Sequence, residues 1–202
     1  MLRNIIFDMG GVLIRWDPEH FIDRAGVADP ADKALLMRAI YASPNWPKQD
    51  AGEIDEAEVE RRAKAMLPER LHAVAHDLIF HWETPWEPIP GMADFARDCK
   101  AAGFGVYLLS NASVRQPEYW PGIPGSECFD GAVISALEKC VKPGPEIFRV
   151  LLERYRLKAE ECLFVDDVQA NVQGAEKVGL QVFWFRGDVE ELRKACRIKS
   201  RR

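Results

Sequence analysis

The chain has 202 residues, of which 48% are hydrophobic and 29% are charged, and it carries a formal charge of −5 at pH 7. This composition is typical of a globular protein, and the acidic balance gives no basic footprint for nucleic acid or an anionic membrane surface. Five cysteines without a C-x-x-C pair indicate neither a disulfide framework nor a zinc site. The first residues lack the basic region, long apolar segment and small-residue cleavage site typical of a leader peptide, and no segment approaches the roughly 20 apolar residues of a membrane span, so we expect a cytosolic protein.

The first predicted element is a buried strand that ends at an aspartate. The apolar run from Ile5 to Phe7 is followed by Asp8 and then by Gly10 and Gly11. A parallel strand is hydrophobic on both faces and delivers the residue that follows it to the carboxyl edge of the sheet. We therefore predict that Asp8 lies at this edge on a glycine-rich turn, which is a position suited to a nucleophile.

The hydrophobic period then becomes helical for about seventy residues. Asp17 followed by Pro18 is typical of an N-cap with proline in the first turn, and it predicts a helix to about Ala25. Further helices are predicted over residues 32–42, 55–66 and 69–82. The segment 84–90 contains three prolines, which forbid a helix and disfavour a central strand, so we interpret it as a linker.

From Gly91 onward, predicted helices alternate with apolar strands, as in a doubly wound domain. The strands are predicted over residues 105–109, 132–134, 163–165 and 181–185. The helices are predicted over residues 92–102, from the prolines at 143 and 145 to about 155, over 172–178, and after Asp188, which forms a capping box with Glu191. We predict an α/β fold with a doubly wound parallel sheet and a helical insertion. The basic tail, residues 197–202, is interpreted as a solvated end.

Two acidic strand ends are predicted to share one cation. The run from Cys162 to Val165 stops at Asp166 and Asp167, as the first strand stops at Asp8. If the two strands are neighbours, these ends flank the topological switch point, where open α/β sheets place ligands. Converging carboxylates raise one another's pKa, and a hard divalent cation such as Mg²⁺ removes that conflict. The strand end at Ser110 and the loop bearing Lys142 would add donors suited to a phosphoryl group.

These motifs resemble a known superfamily. The four segments are Asp8-Met9-Gly10-Gly11-Val12-Leu13, Ser110-Asn111, Lys142-Pro143, and Asp166-Asp167 through Asn171. In this order they resemble the motifs of the haloacid dehalogenase superfamily. The resemblance spans the chain and implies a Rossmann-like catalytic core, residues 1–16 and 90–202, with a helical cap, residues 17–89. The surroundings of the later motifs, with Trp120-Pro121, are most similar to the bacterial α-glucose-1-phosphate phosphatase-like group.

The resemblance implies a role for each motif residue. Asp8 would attack phosphorus and form an aspartyl-phosphate. Magnesium would be held by Asp8, by the backbone carbonyl of Gly10 and chiefly by Asp167, with Asp166 close by or acting through water. The implied catalytic residues are Asp8, Ser110 and Lys142; the phosphate-binding residues are Gly10, Gly11, Ser110, Asn111 and Lys142; the metal-binding residues are Asp8, Gly10, Asp166 and Asp167.

The implied activity is Mg²⁺-dependent hydrolysis of a small phosphorylated metabolite, with a sugar phosphate as the expected substrate. No nucleic acid or membrane partner is expected, and the oligomeric state is left open between monomer and homodimer. One departure affects the chemistry, because most phosphatases of this superfamily carry a general acid two residues after the nucleophile, where this chain has Gly10. Losing such help costs about 10²- to 10⁴-fold, which favours substrates with good leaving groups, such as anomeric or acyl phosphates.

Several alternatives remain open at this stage. Dehalogenase or phosphonatase chemistry is possible on the same scaffold, and the glycine at position 10 also permits a catalytically silent phosphate-binding module. Asp17 is a candidate substitute proton donor, although its helix-start signal explains it without chemistry. His72 and His76 lie four apart on a predicted helix but lack a third ligand motif, and we interpret them as surface or packing residues.

The helical insertion raises two further questions. Tryptophans 46, 82, 86 and 120 are candidates for a sugar-binding cleft between cap and core, but packing is the preferred interpretation for most of them. Segment 84–90 and the stretch around Asp17 are predicted to form the hinge of the cap.

Overall fold

The computed structural model describes residues 1–198. Within them, parallel strands form one five-stranded sheet in the spatial order β3-β2-β1-β4-β5. The strands are β1 (Asn4–Phe7), β2 (Gly105–Ser110), β3 (Gly131–Ile134), β4 (Cys162–Asp166) and β5 (Gln181–Trp184). The predicted doubly wound parallel sheet is therefore confirmed. Residues 199–202 of the basic tail lie outside the described residues.

Helices cover both faces of the sheet. They are α6 (Met92–Ala101), α7 (Gln116–Tyr119), α8 (Ser135–Glu138), α9 (Pro145–Arg154), α10 (Gln169–Lys177) and α11 (Val189–Cys196). The central strand β1 is apolar at successive positions because both of its faces are covered. The side chains of Ile5 and Phe7 belong to one buried cluster, and that of Ile6 belongs to the other. All three side chains are fully buried, as expected of a strand covered on both faces.

The switch point lies between β1 and β4. The chain passes from β1 to β2 and β3 on one side, and returns to β4 and β5 on the other. Phe7 pairs with Val165, so that Asp8 and Asp166 follow at the same level of the sheet. The backbone N–H of Asp8 donates to the carbonyl oxygen of Val165 at 2.9 Å, which fixes the position of this first acidic residue.

The segment between β1 and α6 is helical, as predicted. It contains α1 (Pro18–Arg24), α2 (Pro30–Ala39), α3 (Asn45–Asp50), α4 (Glu56–Met66) and α5 (His72–Phe80). The side chains of Asp17, Asp29 and Asp55 each accept a hydrogen bond from the first turn of the helix that follows. Helix α2 begins at Pro30 and not at residue 32, because Asp29-Pro30 repeats the Asp-Pro start. Helix α3 and the short helices α7 and α8 were not predicted.

The ends of other elements differ from prediction by a few residues. Helix α10 begins at Gln169, three residues earlier than its hydrophobic pattern indicated, and β4 extends to Asp166. The last helix begins after Asp188, whose side chain accepts a hydrogen bond from the N–H of Glu191 at 3.0 Å. Among the described residues, no helix combines the length and the hydrophobicity needed to cross a membrane.

The helical segment shares one buried cluster with a face of the sheet. Phe21 of α1, Leu36 of α2 and Leu78 of α5 belong to the same cluster as Phe7 and Phe95. The chain enters the helical segment after Leu13 and leaves it before Ile89, and these two connections run side by side. Arg15 N–H donates to the Glu87 carbonyl at 2.8 Å, and Ile89 N–H donates to the Leu13 carbonyl at 2.9 Å. The division into cap and core, and the hinge at these connections, stay predictions.

Candidate active site at the carboxyl edge of the sheet

Three carboxylates converge beyond the ends of β1 and β4. One oxygen each of Asp8, Asp166 and Asp167 lies within 4.8 Å of the others. Asp166 is fully buried, Asp8 is 7% exposed, and Asp167 is partly exposed. The two apolar runs of the sequence predict this convergence provided that their strands are neighbours, and β1 and β4 are neighbours in the sheet.

Lys142 supplies the positive charge inside this cluster. Its Nζ lies 2.8 Å from Asp8 Oδ1 and 2.7 Å from Asp166 Oδ2, and its side chain is fully buried. Burial alone would lower the pKa of Lys142, but the carboxylates of Asp8 and Asp166 outweigh burial and raise the pKa above its usual value. The residue is therefore an ammonium at neutral pH, placed against the candidate nucleophile.

Asn111 holds the backbone of Lys142 in place. Its side-chain oxygen accepts from the Lys142 N–H at 2.9 Å, and its side-chain nitrogen donates to the Lys142 carbonyl at 3.0 Å. The side-chain amide is thus engaged, which leaves the Asn111 backbone for the predicted phosphate contact. Ser110 is buried at the end of β2, and its hydroxyl makes a long contact of 3.5 Å to the Asn111 carbonyl. Neither phosphate-binding assignment is tested by this geometry, and both stay predictions.

Asp166 and Asp167 are neighbours in sequence but differ in their hydrogen bonding. The Asp166 carboxylate accepts from Lys142 Nζ, from the Val168 N–H at 2.8 Å and from the Asn171 amide at 3.1 Å. By contrast, Asp167 Oδ1 is buried and has no hydrogen-bond partner among the described residues. Burial, followed by the charge of Asp166, raises the pKa of Asp167. Asp166 therefore orients Lys142, whereas Asp167 has an oxygen available for a ligand.

The donors of this cluster fit a hard divalent cation. Three carboxylates and one ammonium leave a formal charge of −2 in a largely buried space. Burial raises the pKa of Asp8 to about 7, with Lys142 opposing the shift and Asp166 adding to it. Carboxylate oxygens are the ligands that Mg²⁺ prefers. Asp167 Oδ1, which has no hydrogen-bond partner among the described residues, is the oxygen most available to bind the cation.

Gly11 lies against the Asp167 carboxylate. Its φ is +76°, and a Cβ at this position would be 2.1 Å from Asp167 Oδ2. Substituting alanine would therefore strain the backbone and displace the carboxylate. The left-handed conformation costs a non-glycine residue roughly 1–2 kcal/mol before any collision is counted.

We expect Gly11→Ala to lower the unfolding temperature and to abolish the rise in that temperature produced by Mg²⁺. Gly26→Ala is the matched control, because Gly26 has a φ of +80° but no atom within 4 Å of the added Cβ. Thermal unfolding of both variants, with and without Mg²⁺, separates backbone strain from damage to the cluster. A Gly11→Ala protein with the Mg²⁺ response of the control would contradict the assignment of Asp167 as a cation ligand.

A cavity of about 290 Å³ lies over the cluster. Its wall includes five aromatic residues, which are Trp16, Tyr41, Trp46, Trp82 and Tyr119. Trp16 is at the centre, with its ring centroid 4.9 Å from that of Trp82 and 5.5 Å from that of Trp46. Of the tryptophans considered from the sequence, Trp46 and Trp82 line the cavity, and the other two pack elsewhere: Trp86 against Tyr119 and Trp120 against Phe129.

Asp17 is the N-cap of α1. Its carboxylate accepts from the His20 N–H at 3.1 Å and from Arg15 at 2.7 Å. The hydrogen bond from Arg15 lowers the pKa of Asp17, and its side chain does not line the cavity. The helix-start interpretation explains this residue, and the structure gives no support to Asp17 as a proton donor. Of the two histidines, His72 bonds the backbone carbonyls at 64 and 67, and His76 bonds Glu60.

The family model of haloacid dehalogenase-like hydrolases matches residues 2–179 of the chain. The chain belongs to this family. The predicted superfamily and the prediction of an enzyme are therefore confirmed. The resemblance to the α-glucose-1-phosphate phosphatase-like group is finer than this match and stays a prediction.

Two curated relatives of this haloacid dehalogenase-like hydrolase are phosphatases. A sesquiterpene phosphatase from Aspergillus oryzae is 28% identical over 186 residues, covering 88% of this chain and 87% of the relative. A D-ribitol-5-phosphate phosphatase from Bacteroides thetaiotaomicron is 23% identical over 194 residues, covering 91% of each chain.

A solved haloacid dehalogenase family enzyme from Bacteroides thetaiotaomicron, crystallised with magnesium and inorganic phosphate, has the same fold. Its TM-score is 0.71 at 22% identity, and the match covers 95% of this chain and 99% of that one.

Proposed function

We propose that this hydrolase is an Mg²⁺-dependent phosphatase that cleaves a small phosphate ester through an aspartyl-phosphate. The observation that carries the proposal is the buried cluster of charge −2, in which Lys142 lies between Asp8 and Asp166 beside an unpartnered Asp167 oxygen. A cluster of this kind suits a cation and a phosphoryl group together, because a tetrahedral dianion needs positive charge on several of its oxygens.

Asp8 has one carboxylate oxygen ready for attack. Its Oδ1 accepts from the Met9 N–H at 2.7 Å and from Lys142 at 2.8 Å. Its Oδ2 has no hydrogen bond from the described residues, and this is the oxygen that attacks phosphorus as the bond to the leaving oxygen breaks. Lys142 then neutralises charge between the carboxylate and the phosphoryl group, and the hydroxyl of Ser110 donates to a phosphoryl oxygen.

The chain offers distinct groups for the metal. Asp8, Asp167 and the backbone carbonyl of Gly10 would hold Mg²⁺, which when bound supplies positive charge to the phosphoryl oxygens. We propose no direct metal contact for Asp166, because its oxygens already accept from Lys142, Val168 and Asn171. It contributes by keeping Lys142 oriented.

The cavity supports a small organic phosphate as the substrate. Aromatic walls pack against the apolar faces of a ligand, and a few polar groups fix its orientation. The curated relatives are named for a sesquiterpene and for a ribitol phosphate, and a sugar phosphate remains the substrate class that we propose first. Dehalogenase chemistry is less well supported, because it does not need an acidic metal cluster.

A phosphate-release screen tests the proposal. Sugar, polyol, prenyl and acyl phosphates are incubated with the protein in Mg²⁺ and in EDTA, and halide release from 2-haloacids is measured in parallel. We expect phosphate release from at least one class in Mg²⁺ and its loss in EDTA. Turnover that persists in EDTA would overturn the metal dependence. No turnover of any ester by a protein that still binds Mg²⁺ would favour the silent module.

A further inference from the structure

Helix α3 brings the side chains of Gln49 and Asp50 to the cavity. Gln49 is 3% exposed, and its Oε1 accepts no hydrogen bond from the described residues. Asp50 also lines the cavity and is partly exposed, and its carboxylate makes no hydrogen bond or ion pair with the described residues. An unpaired carboxyl group among aromatic rings is costly, and such groups are concentrated at functional sites.

The end of α3 is held rigidly beside the sheet. The hydroxyl of Ser135, which is fully buried, donates to the backbone carbonyl of Asp50 at 2.5 Å. Lys139 donates to the carbonyl of Gly52, and a Cβ at Gly52 would be 2.3 Å from the Ala136 carbonyl oxygen. These contacts hold the backbone of Asp50 beside the cavity and leave its carboxyl group without a hydrogen bond from them.

The reaction lacks an acid at its usual place. Gly10 has no side chain to move a proton, and a Cβ there would be 3.2 Å from the Cβ of Trp16. The described carboxyl groups that line the cavity are those of Asp8, Asp50 and Asp167. Asp8 is the proposed nucleophile and Asp167 the proposed metal ligand, which leaves Asp50.

The two tyrosine hydroxyls of the cavity are poor alternatives. Burial raises the pKa of both Tyr41 and Tyr119 well above the usual value for a phenol. Neither hydroxyl is therefore a useful proton donor at neutral pH, and neither would act as a base.

We propose that Asp50 is the general acid and base of the reaction and takes the role that Gly10 cannot perform. This assignment rests on the proposed phosphatase function. As Asp8 Oδ2 forms its bond to phosphorus and the bond from phosphorus to the leaving oxygen breaks, the carboxyl group of Asp50 gives its proton to that oxygen. The resulting Asp50 carboxylate then accepts a proton from water, whose oxygen attacks the aspartyl-phosphate and releases inorganic phosphate. Both Asp8 and the protonated Asp50 are regenerated.

The charges around Asp50 suit both steps. Burial raises the pKa of Asp50 to about 7, with Lys142 lowering it and Glu56 raising it. Tyr119 lines the same cavity, and burial, with the charge of Asp50 among the smaller causes, raises the pKa of its phenol, so that it is neutral at pH 7. A group with a pKa close to the working pH is present in both protonation states, and this is the optimum for a residue that donates and then accepts.

The deciding experiment compares two leaving groups in Asp50→Asn. We expect kcat/KM to fall by about 10²- to 10⁴-fold for an alkyl phosphate, whose alkoxide needs a proton, and by less than about tenfold for 4-nitrophenyl phosphate. For the alkyl ester, the fall in wild-type kcat/KM at alkaline pH should be absent from the pH profile of the variant. With the nitrophenyl ester, a burst of nitrophenolate is expected, because hydrolysis of the aspartyl-phosphate is slowed.

Glu53→Gln is the matched control, because Glu53 is exposed and only three residues away. It should behave as wild type. An equal loss of kcat/KM for both esters in Asp50→Asn, or no loss for either, would overturn the proposal. Failure of the phosphatase function itself is a different result, namely no turnover of either ester by the wild-type protein.

Thermal unfolding gives a readout that is independent of turnover. The folded-state pKa of Asp50 lies above its unfolded value, so its stabilising contribution is present below about pH 4 and is lost as pH rises through about 7. Asparagine does not titrate. The unfolding temperature of Asp50→Asn, relative to that of wild type, should therefore rise between pH 5 and pH 8. A constant difference would contradict the burial of this carboxyl group.

Discussion

Replacing Asp8 by asparagine is expected to lower phosphate release from every ester by at least about 10⁴-fold, since removing the nucleophile of a covalent mechanism removes most of the catalysis. The amide cannot form an acyl phosphate at Oδ2. The same change removes one charge from a cluster of three carboxylates with one ammonium. Without Mg²⁺, the variant should therefore unfold at a higher temperature than wild type at pH 8.

Activity and stability thus move in opposite directions in Asp8→Asn, which excludes misfolding as the reason for lost turnover. Asp94→Asn is the control, because the Asp94 side chain is 77% exposed and far from the cluster in sequence. It should leave turnover unchanged. Mass spectrometry of the wild-type protein quenched during turnover should find a phosphorylated peptide that contains Asp8. More than about one per cent residual turnover in Asp8→Asn would show that water attacks the ester directly.

The sheet and its switch point could be predicted because their signals are local. A run such as Ile5 to Phe7 has no polar face, which only a strand covered on both sides tolerates. The Asp-Pro pairs that begin α1 and α2 act within one helical turn. Helix α3 gives no such signal, because its sequence is polar and contains Pro47. Packing of Trp46 against Trp16 and Tyr41 stabilises it, and those contacts come from other parts of the chain.

In the candidate site, too, features with a local sequence signal could be predicted, and features that depend on contacts between distant residues could not. The sequence shows that Asp166 and Asp167 stand at a strand end, but their different roles depend on Lys142 and Asn171, which reach one of them and not the other. Asp50 belongs to a stretch with several acidic residues and no motif. The glycine at position 10 indicates that an acid is missing, and only the fold selects which of those residues faces the cavity.

Lys142→Met is expected to be the most destabilising single change in the cluster. In the wild-type protein the Lys142 ammonium lies 5.4 Å from the centroid of the Phe164 ring. Methionine keeps an unbranched apolar side chain beside this ring and removes the positive charge. Asp8 and Asp166 are then left without their counterion. Breaking a buried ion pair in this way costs roughly 3–5 kcal/mol. Chemical denaturation at pH 8 without metal measures the loss in the free energy of unfolding. Lys177→Met is the control, because Lys177 is exposed.

The pH dependence of this loss identifies its cause. Lowering the pH protonates the carboxyl groups that Lys142 neutralises, and Asp8 already has a raised pKa, so the destabilisation should be smaller at pH 5 than at pH 8. An equal loss at both values would assign it to packing. Adding Asp166→Asn to Lys142→Met should restore part of the stability, because it removes one of the two buried carboxylates that Lys142 neutralised and leaves only Asp8 without its counterion. Turnover should stay low in the double variant, since the phosphoryl group still lacks its ammonium, and this difference separates the catalytic role of Lys142 from its structural one.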